Sequence, residues 1–327
     1  MSDPVSQMAE AGSKRPILLL SLPRAGSTWM ANVLSHSVGV RYVSEPADAY
    51  LWPAAFWAKF GLGEYPTPND ALVSKRFQRL WATVLDHPSY FNDKRCSAQL
   101  LSRIYSPLIR RAVSPHRTLN AGSNSRRKKT YAAPLSEQSC HERLLVKEVT
   151  ISLCGGLIAD WLDAEVLVLR RDPMKVAASW LKMGFPPEPI HRQSWVVEEV
   201  IQPLGIKLPP LDTHAEKLAW TVGLLDLTLV IEAHKRKWPL VNHEQLVDNP
   251  RGEFQKMVEL FGLVPTGEMW SFLEQSGKSE GSNYSINRTA EQIRNSSKGV
   301  FSASDQIKIE SVLDELANHF PTVNSHG

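Results

Sequence analysis

Three short segments and one carboxylate carry the residues that could do chemistry on a polyanion. Pro23-Arg24-Ala25-Gly26-Ser27-Thr28-Trp29 sets a cation, a glycine and two hydroxyls within five consecutive residues. Glycine lets a backbone bend and approach a ligand closely, hydroxyls add donors, and a guanidinium supplies fixed charge with a forked set of N–H groups. Lys147 and Glu148 stand near the end of a second segment, and Arg170-Arg171-Asp172-Pro173 forms a third, with Ser179 eight residues beyond Arg171. Glu45, followed by Pro46, offers a carboxylate that can take a proton from a hydroxyl. Ser27 could also simply cap an ordinary helix. The crowding of four anion-binding features into five residues favours the functional reading.

These residues need elements to hold them. Ile17 to Leu20 is an apolar run of the kind found in buried parallel strands, and Trp29, Met30, Val33 and Leu34 recur at helical spacing. A strand turning sharply into a helix leaves the first N–H groups of that helix pointing back at the turn with the positive end of its dipole, which makes an anion site. Val40 to Ser44, Leu144 to Val149 and Glu165 to Leu169 predict further strands, and Met174 to Leu181 a helix after the last of them. Ligands of open parallel sheets bind beyond the carboxyl ends of the strands, so Glu45 should share a crevice with the loop. The loop departs from Walker A, in which the glycine is followed by Lys-Ser/Thr, and the Glu165–Leu169 strand runs into two arginines rather than the magnesium-holding Asp of Walker B. A ligand less charged than a triphosphate, needing no metal, is expected.

Pro23 to Trp29 resembles the P-K-S-G-T-T-W loop of sulfotransferases that use 3'-phosphoadenylyl sulfate. The resemblance implies that Arg24, Ala25, Gly26, Ser27 and Thr28 hold the 5'-phosphosulfate and that Trp29 stacks on adenine. Arg171, Pro173 and Ser179 match the family's R-x-P-x-x-x-x-x-S pattern, which binds the 3'-phosphate, and Lys147 matches a lysine that neutralises the bridging oxygen as sulfate leaves. Cytosolic members carry a histidine two residues after that lysine, where this chain has Val149. The base must then come from elsewhere: Glu45 first, since carbohydrate-type and many bacterial members have a similar Glu-Pro, then Glu148, then His36. Asn242 to Leu263 resembles the family's Y-E-D-L segment, whose role is mainly structural, so Glu244 is expected to be an anchor. Lys298-Gly299 supplies a cation where members close the nucleotide pocket, with Arg288 and Arg294 as alternatives.

At 327 residues with 43% hydrophobic residues the chain can bury one large core. The expectation is a single α/β domain with a P-loop NTPase-like parallel sheet flanked by helices, spanning 16–327 after a flexible N-terminus of residues 1–15. Mobile loops are expected near 106–141, which includes Arg126-Arg127-Lys128-Lys129, and near the proline-rich 184–210. The aromatics between Tyr50 and Tyr65 suit either a core or an acceptor wall. A net charge of +3 is too weak an imbalance to argue for nucleic acid, and three cysteines without paired spacing argue against a disulfide framework or a zinc site. No run approaches the ~20 apolar residues of a membrane span, and the expected setting is cytoplasmic. The expected reaction is in-line sulfuryl transfer to a hydroxyl, less readily an amine, of a small-molecule, glycan or lipid acceptor. A kinase using ATP and a non-catalytic nucleotide-binding protein are the alternatives.

Overall fold

Five parallel strands run through the centre of the protein. The computed structural model describes residues 15–91, 142–207, 211, 213–276 and 290–321. The segment 106–141, the N-terminus up to residue 14, Arg288, Cys96 and Cys140 lie outside the described residues. The strands are β1 (Ile17–Ser21), β2 (Val40–Ser44), β3 (Arg143–Glu148), β4 (Glu165–Arg170) and β5 (Leu240–Asn242), in the spatial order β2-β3-β1-β4-β5. All five residues of β1 are buried, as expected of a central strand covered on both faces.

Alternation along the strands divides the core into two layers. Leu18 and Leu20 of β1, Val146 of β3 and Val168 of β4 pack with Ile158 of the Gly155–Leu162 helix and with the long His214–Arg236 helix. Ile17, Leu19, Leu145, Leu167 and Leu169 face the Ser27–Leu34 and Pro250–Leu260 helices through Met30, Val33, Phe254 and Met257. The protein is thus a P-loop-type α/β domain with helices on both faces. None of the described helices is long and apolar enough to cross a membrane.

The topology makes the crevice. Chain order sends β2 to one edge, β3 back between β2 and β1, and β4 to the far side of β1, so the connections leaving β1 and β3 diverge at their carboxyl ends. Register then sets neighbours: Ser44 pairs with Lys147, Leu20 with Glu148 and Ser21 with Leu169.

Several sequence expectations are refined. Leu72, Phe77, Leu80, Trp81 and Val84 fall at helical spacing but on two helices, Pro68–Val73 and Lys75–Asp86, divided at Ser74, whose side chain caps the second by accepting from the Phe77 N–H. The described part of 184–210 carries a 3-10 turn at Ile190–Arg192 and a helical run from Ser194 to Leu204 with a π stretch at Val197–Ile201. The aromatic run is no uniform core: Tyr65 is buried, whereas Trp57 and Phe60 on and after the Pro53–Lys59 helix are at least half exposed.

Candidate active site

The loop between β1 and the Ser27–Leu34 helix is shaped by two left-handed residues, Arg24 at φ 72° and Gly26 at φ 101°. Gly26 has a second reason to be glycine. A Cβ there would stand 2.3 Å from Cδ2 and 2.6 Å from Nε2 of His243, whose buried ring lies against the loop at the end of β5. The loop is braced from outside by the Trp180 indole, which donates to the Pro23 carbonyl at 2.8 Å, and from within by the Ala25 N–H, which donates to the Leu22 carbonyl at 3.2 Å. Ser27 and Thr28 open the helix, so their N–H groups lack intrahelical acceptors. Trp29 is half-buried, edge-on to Phe254 and His243, and its indole donates to Ser276 Oγ at 2.8 Å.

Lys147 and Glu45 meet beside this loop. The Glu45 N–H donates to the Lys147 carbonyl at 2.7 Å, continuing the β2–β3 ladder by one residue before the chain turns left-handed at Glu45, φ 48°. Lys147 Nζ is ion-paired with Glu45 Oε1 and donates to Thr28 Oγ1 at 3.1 Å. Only 1% of the Lys147 side chain is exposed, against 20% for Glu45, so the carboxylate is the member of the pair that faces outward. Burial lowers the Lys147 ammonium to about 7, with the Glu148 carboxylate opposing that shift and the Arg24 charge adding to it.

The other two candidates for a base stand elsewhere. Glu148 is fully buried, and its oxygens accept from the N–H groups of Ala47 (2.7 Å), Val149 (2.8 Å) and Thr150 (3.0 Å) and from the Thr150 hydroxyl (3.1 Å). A carboxylate so enclosed cannot reach an acceptor in the crevice, and burial raises it while those N–H groups lower it. His36 lies beyond the opposite end of the Ser27–Leu34 helix, about 12 Å from the loop at 1.5 Å per residue. There it stacks on Phe272 and sits 2.6 Å from the Asn32 carbonyl.

The third segment closes on the loop. Buried Arg171 donates from Nη1 to the Arg24 carbonyl and from Nη2 to Ser296 Oγ, both at 2.9 Å. Its neighbour Asp172 caps the Pro173–Met183 helix by accepting from the Met174 N–H. Ser179 accepts from Arg24 Nε at 3.2 Å, so Arg171 and Ser179 are joined through Arg24, one by its carbonyl and the other by its side chain. Arg170 turns away to a two-oxygen contact with buried Asp226 on the long helix. Glu244 pairs with Lys175 at 3.2 Å as an anchor between two helices.

Lys298 is exposed, and the structure brings Ser296 rather than Lys298 to Arg171. Lys182 Nζ also holds Ser296, through its carbonyl at 2.8 Å, and Arg294 is paired with Asp248 at 2.6 Å. Ser296, Lys182 and His243 were not singled out from sequence. A serine two residues before the expected cation was the one available signal for Ser296. Among the described residues no group of three or more His, Cys, Asp or Glu side chains is placed to hold a metal ion.

The arrangement gathers Arg24, Lys147, Arg171 and a helix N-terminus around one crevice, with the Glu45 carboxylate facing outward. Such a site can hold a doubly anionic ligand and take a proton from a group brought beside it. Among solved structures the chain is similar to the sulfotransferase domain from the curacin biosynthetic pathway (14% identity, 93% of this chain and 99% of that one, TM-score 0.45). It is also similar to sulfotransferase STF9 from Mycobacterium avium (12%, 96% and 79%, 0.42) and to mouse sulfotransferase SULT7A1 complexed with PAP (10%, 96% and 87%, 0.38). No curated protein sequence matches the chain. The model of the sulfotransferase family matches residues 16–266, a span that includes the loop, Glu45, Lys147, Arg171 and Ser179, and the chain therefore belongs to the sulfotransferase family.

Proposed function

We propose that this protein transfers a sulfuryl group from 3'-phosphoadenylyl sulfate to an acceptor hydroxyl, with Glu45 as the base. The observation that carries the reading is Lys147 Nζ, which meets Thr28 Oγ1 and the Glu45 carboxylate at once where the loop and two strand ends converge. The residues fit such a donor. Gly26 lets the loop turn left-handed against the His243 ring, Ser27 and Thr28 present N–H groups, and Arg171 lies within one hydrogen bond of the loop. Arg24, Ala25, Gly26, Ser27 and Thr28 would hold the phosphosulfate, Trp29 the adenine, and Arg171 with Ser179, Ser296 or Lys298 the 3'-phosphate.

In the proposed step the acceptor oxygen forms a bond to sulfur, the sulfur–oxygen bond to the nucleotide phosphate breaks, and the acceptor proton passes to Glu45. Lys147 and Arg24 then face the charge that grows on the departing oxygen, which is worth most in a site held ready before reaction. The acceptor would approach past Trp52, whose indole donates to the Ser44 carbonyl at 3.2 Å next to Glu45, and Tyr90, which packs on Trp52. That wall suits an alcohol on an apolar frame.

Calorimetric titration with adenosine 3',5'-bisphosphate, AMP and ATP, each with and without magnesium, tests the proposal. Metal-independent binding of the bisphosphate in preference to the others is expected, followed by transfer that Glu45→Gln abolishes. A preference for ATP with magnesium would replace the reading with a kinase, and bisphosphate binding with no transfer to any hydroxyl would leave a nucleotide-binding protein.

A further inference from the structure

Glu148 touches both loops flanking the Glu45–Lys147 pair, and it does so from the sealed side of the sheet. Lys147 and Glu148 are consecutive on β3, so their side chains leave opposite faces. Lys147 points to the face of the Ser27–Leu34 helix, and Glu148 to the face that carries Val146, Cys154 and Ile158. From there Glu148 Oε2 takes the Ala47 N–H, two residues after Glu45, while Oε1 takes the Val149 and Thr150 N–H groups and the Thr150 hydroxyl, just after Lys147. Glu45 is a left-handed residue followed by proline, a conformation that persists only where surroundings enforce it. Its own N–H is held by the Lys147 carbonyl, so the chain around it is tied to β3 on both sides.

We propose that Glu148 is a positioning residue, a buried clamp that locks the Glu45 turn to the Lys147 strand end so that carboxylate and ammonium meet the bound donor as one preset unit. The inference rests on Glu45 and Lys147 being the reacting pair. A second consequence follows from charge. The Glu148 carboxylate favours the charged form of Lys147 against burial, so the clamp also keeps the ammonium in place. The charged and titratable groups around this centre are Glu45 and Arg24 beside Lys147, and Lys59, at the end of the Pro53–Lys59 helix, with Cys154 and Tyr42 around Glu148.

The test uses the full chain in wild-type form and as Glu148→Gln. Amide exchange of Ala47 and the pH titration of the Lys147 Cε resonance, assigned by its absence in Lys147→Arg, are read by NMR. In the wild type the Ala47 amide should be protected by its bond to the Glu148 carboxylate, and exchange at the rate of an open loop overturns the clamp without any variant. Glu148→Gln should speed Ala47 exchange about tenfold or more, the factor of one lost charge-assisted hydrogen bond, and move the Lys147 midpoint to lower pH. Unchanged exchange and an unchanged midpoint also overturn it. A purely structural loss would loosen the loop but leave the Lys147 titration where it was. If Glu148→Gln does not fold, Thr150→Val removes one donor to Glu148 Oε1 while the carboxylate keeps its charge, so it should speed Ala47 exchange in smaller measure and leave the Lys147 midpoint in place; unchanged Ala47 exchange overturns the clamp. Bisphosphate titration of the wild type runs beside these: absence of binding there counts against the sulfotransferase reading, whereas the two NMR readouts report on the clamp.

Discussion

Gly26→Ala offers a test of the loop whose size can be worked out beforehand. Gly26 lies at φ 101°, where an L side chain costs about 1–2 kcal/mol. The added methyl would also stand 2.3 Å from His243 Cδ2. The imidazole is 3% exposed and edge-on to Trp29 at 6.2 Å, so it has no solvent to retreat into, and overpacking of this kind costs about 1–3 kcal/mol. Together the two effects come to about 2–5 kcal/mol, a large share of the ~5–15 kcal/mol that holds a typical domain. Urea unfolding of the wild type, Gly26→Ala, His243→Ala and the double variant separates them. The overlap disappears once the ring is gone, so the double variant should be more stable than the sum of the single losses by about 1–3 kcal/mol, leaving the backbone strain behind. Strictly additive losses would refute the contact between loop and ring, and an undiminished Gly26→Ala would refute the left-handed loop itself.

Arg171→Ala should weaken binding of adenosine 3',5'-bisphosphate about ten- to a hundredfold in calorimetry, the worth of one charge-assisted hydrogen bond of ~1.5–3 kcal/mol, and an unchanged affinity would remove Arg171 from the 3'-phosphate site. Burial lowers Lys147 from 10.5 to about 7, so its ammonium is lost as pH rises through that value and the transfer rate should fall there, a limb that Lys147→Arg should carry to higher pH. Between about 7 and 10.5 the unfolded chain binds this proton and the folded chain does not, so the group makes stability rise with pH, and Lys147→Met should flatten that rise in urea midpoints.

The sequence was most legible where local pattern and local chemistry coincide. Ile17 to Leu20 is short, wholly apolar and followed by a glycine-bearing turn, so strand, loop and helix follow from one stretch. Arg171 was legible for its spacing from Ser179, but the link between them was not, since Arg24 joins them from 147 and 155 residues away. Glu148 was open to misreading because two adjacent charges on one strand look alike in sequence. Alternation says that they face opposite ways, yet which face holds the loop depends on where the helices pack. The nearness of Glu45 to Lys147 is a property of β2–β3 register, and Ser296 reaches Arg171 across 125 residues, so no local signal records either. The seven-residue Pro53–Lys59 helix is too short for periodicity to tell exposed Trp57 from a core aromatic.

The interposed position of β3 has a consequence for how the chain folds. Strands β1 and β2 are made first, but they cannot neighbour one another in the finished sheet, because β3 inserts between them. The loop leaving β1 and the turn holding Glu45 therefore wait, in sequence terms, for residues 102 to 119 positions further on. The contacts of Lys147 with Glu45 and Thr28 close long loops, which loads the entropy cost before any reward and makes the assembly slow and late. Burying the Lys147 charge is favourable only once its partners on both sides have arrived, so partly folded chains should expose this edge to chaperones or to aggregation, and the centre should form all at once or not at all.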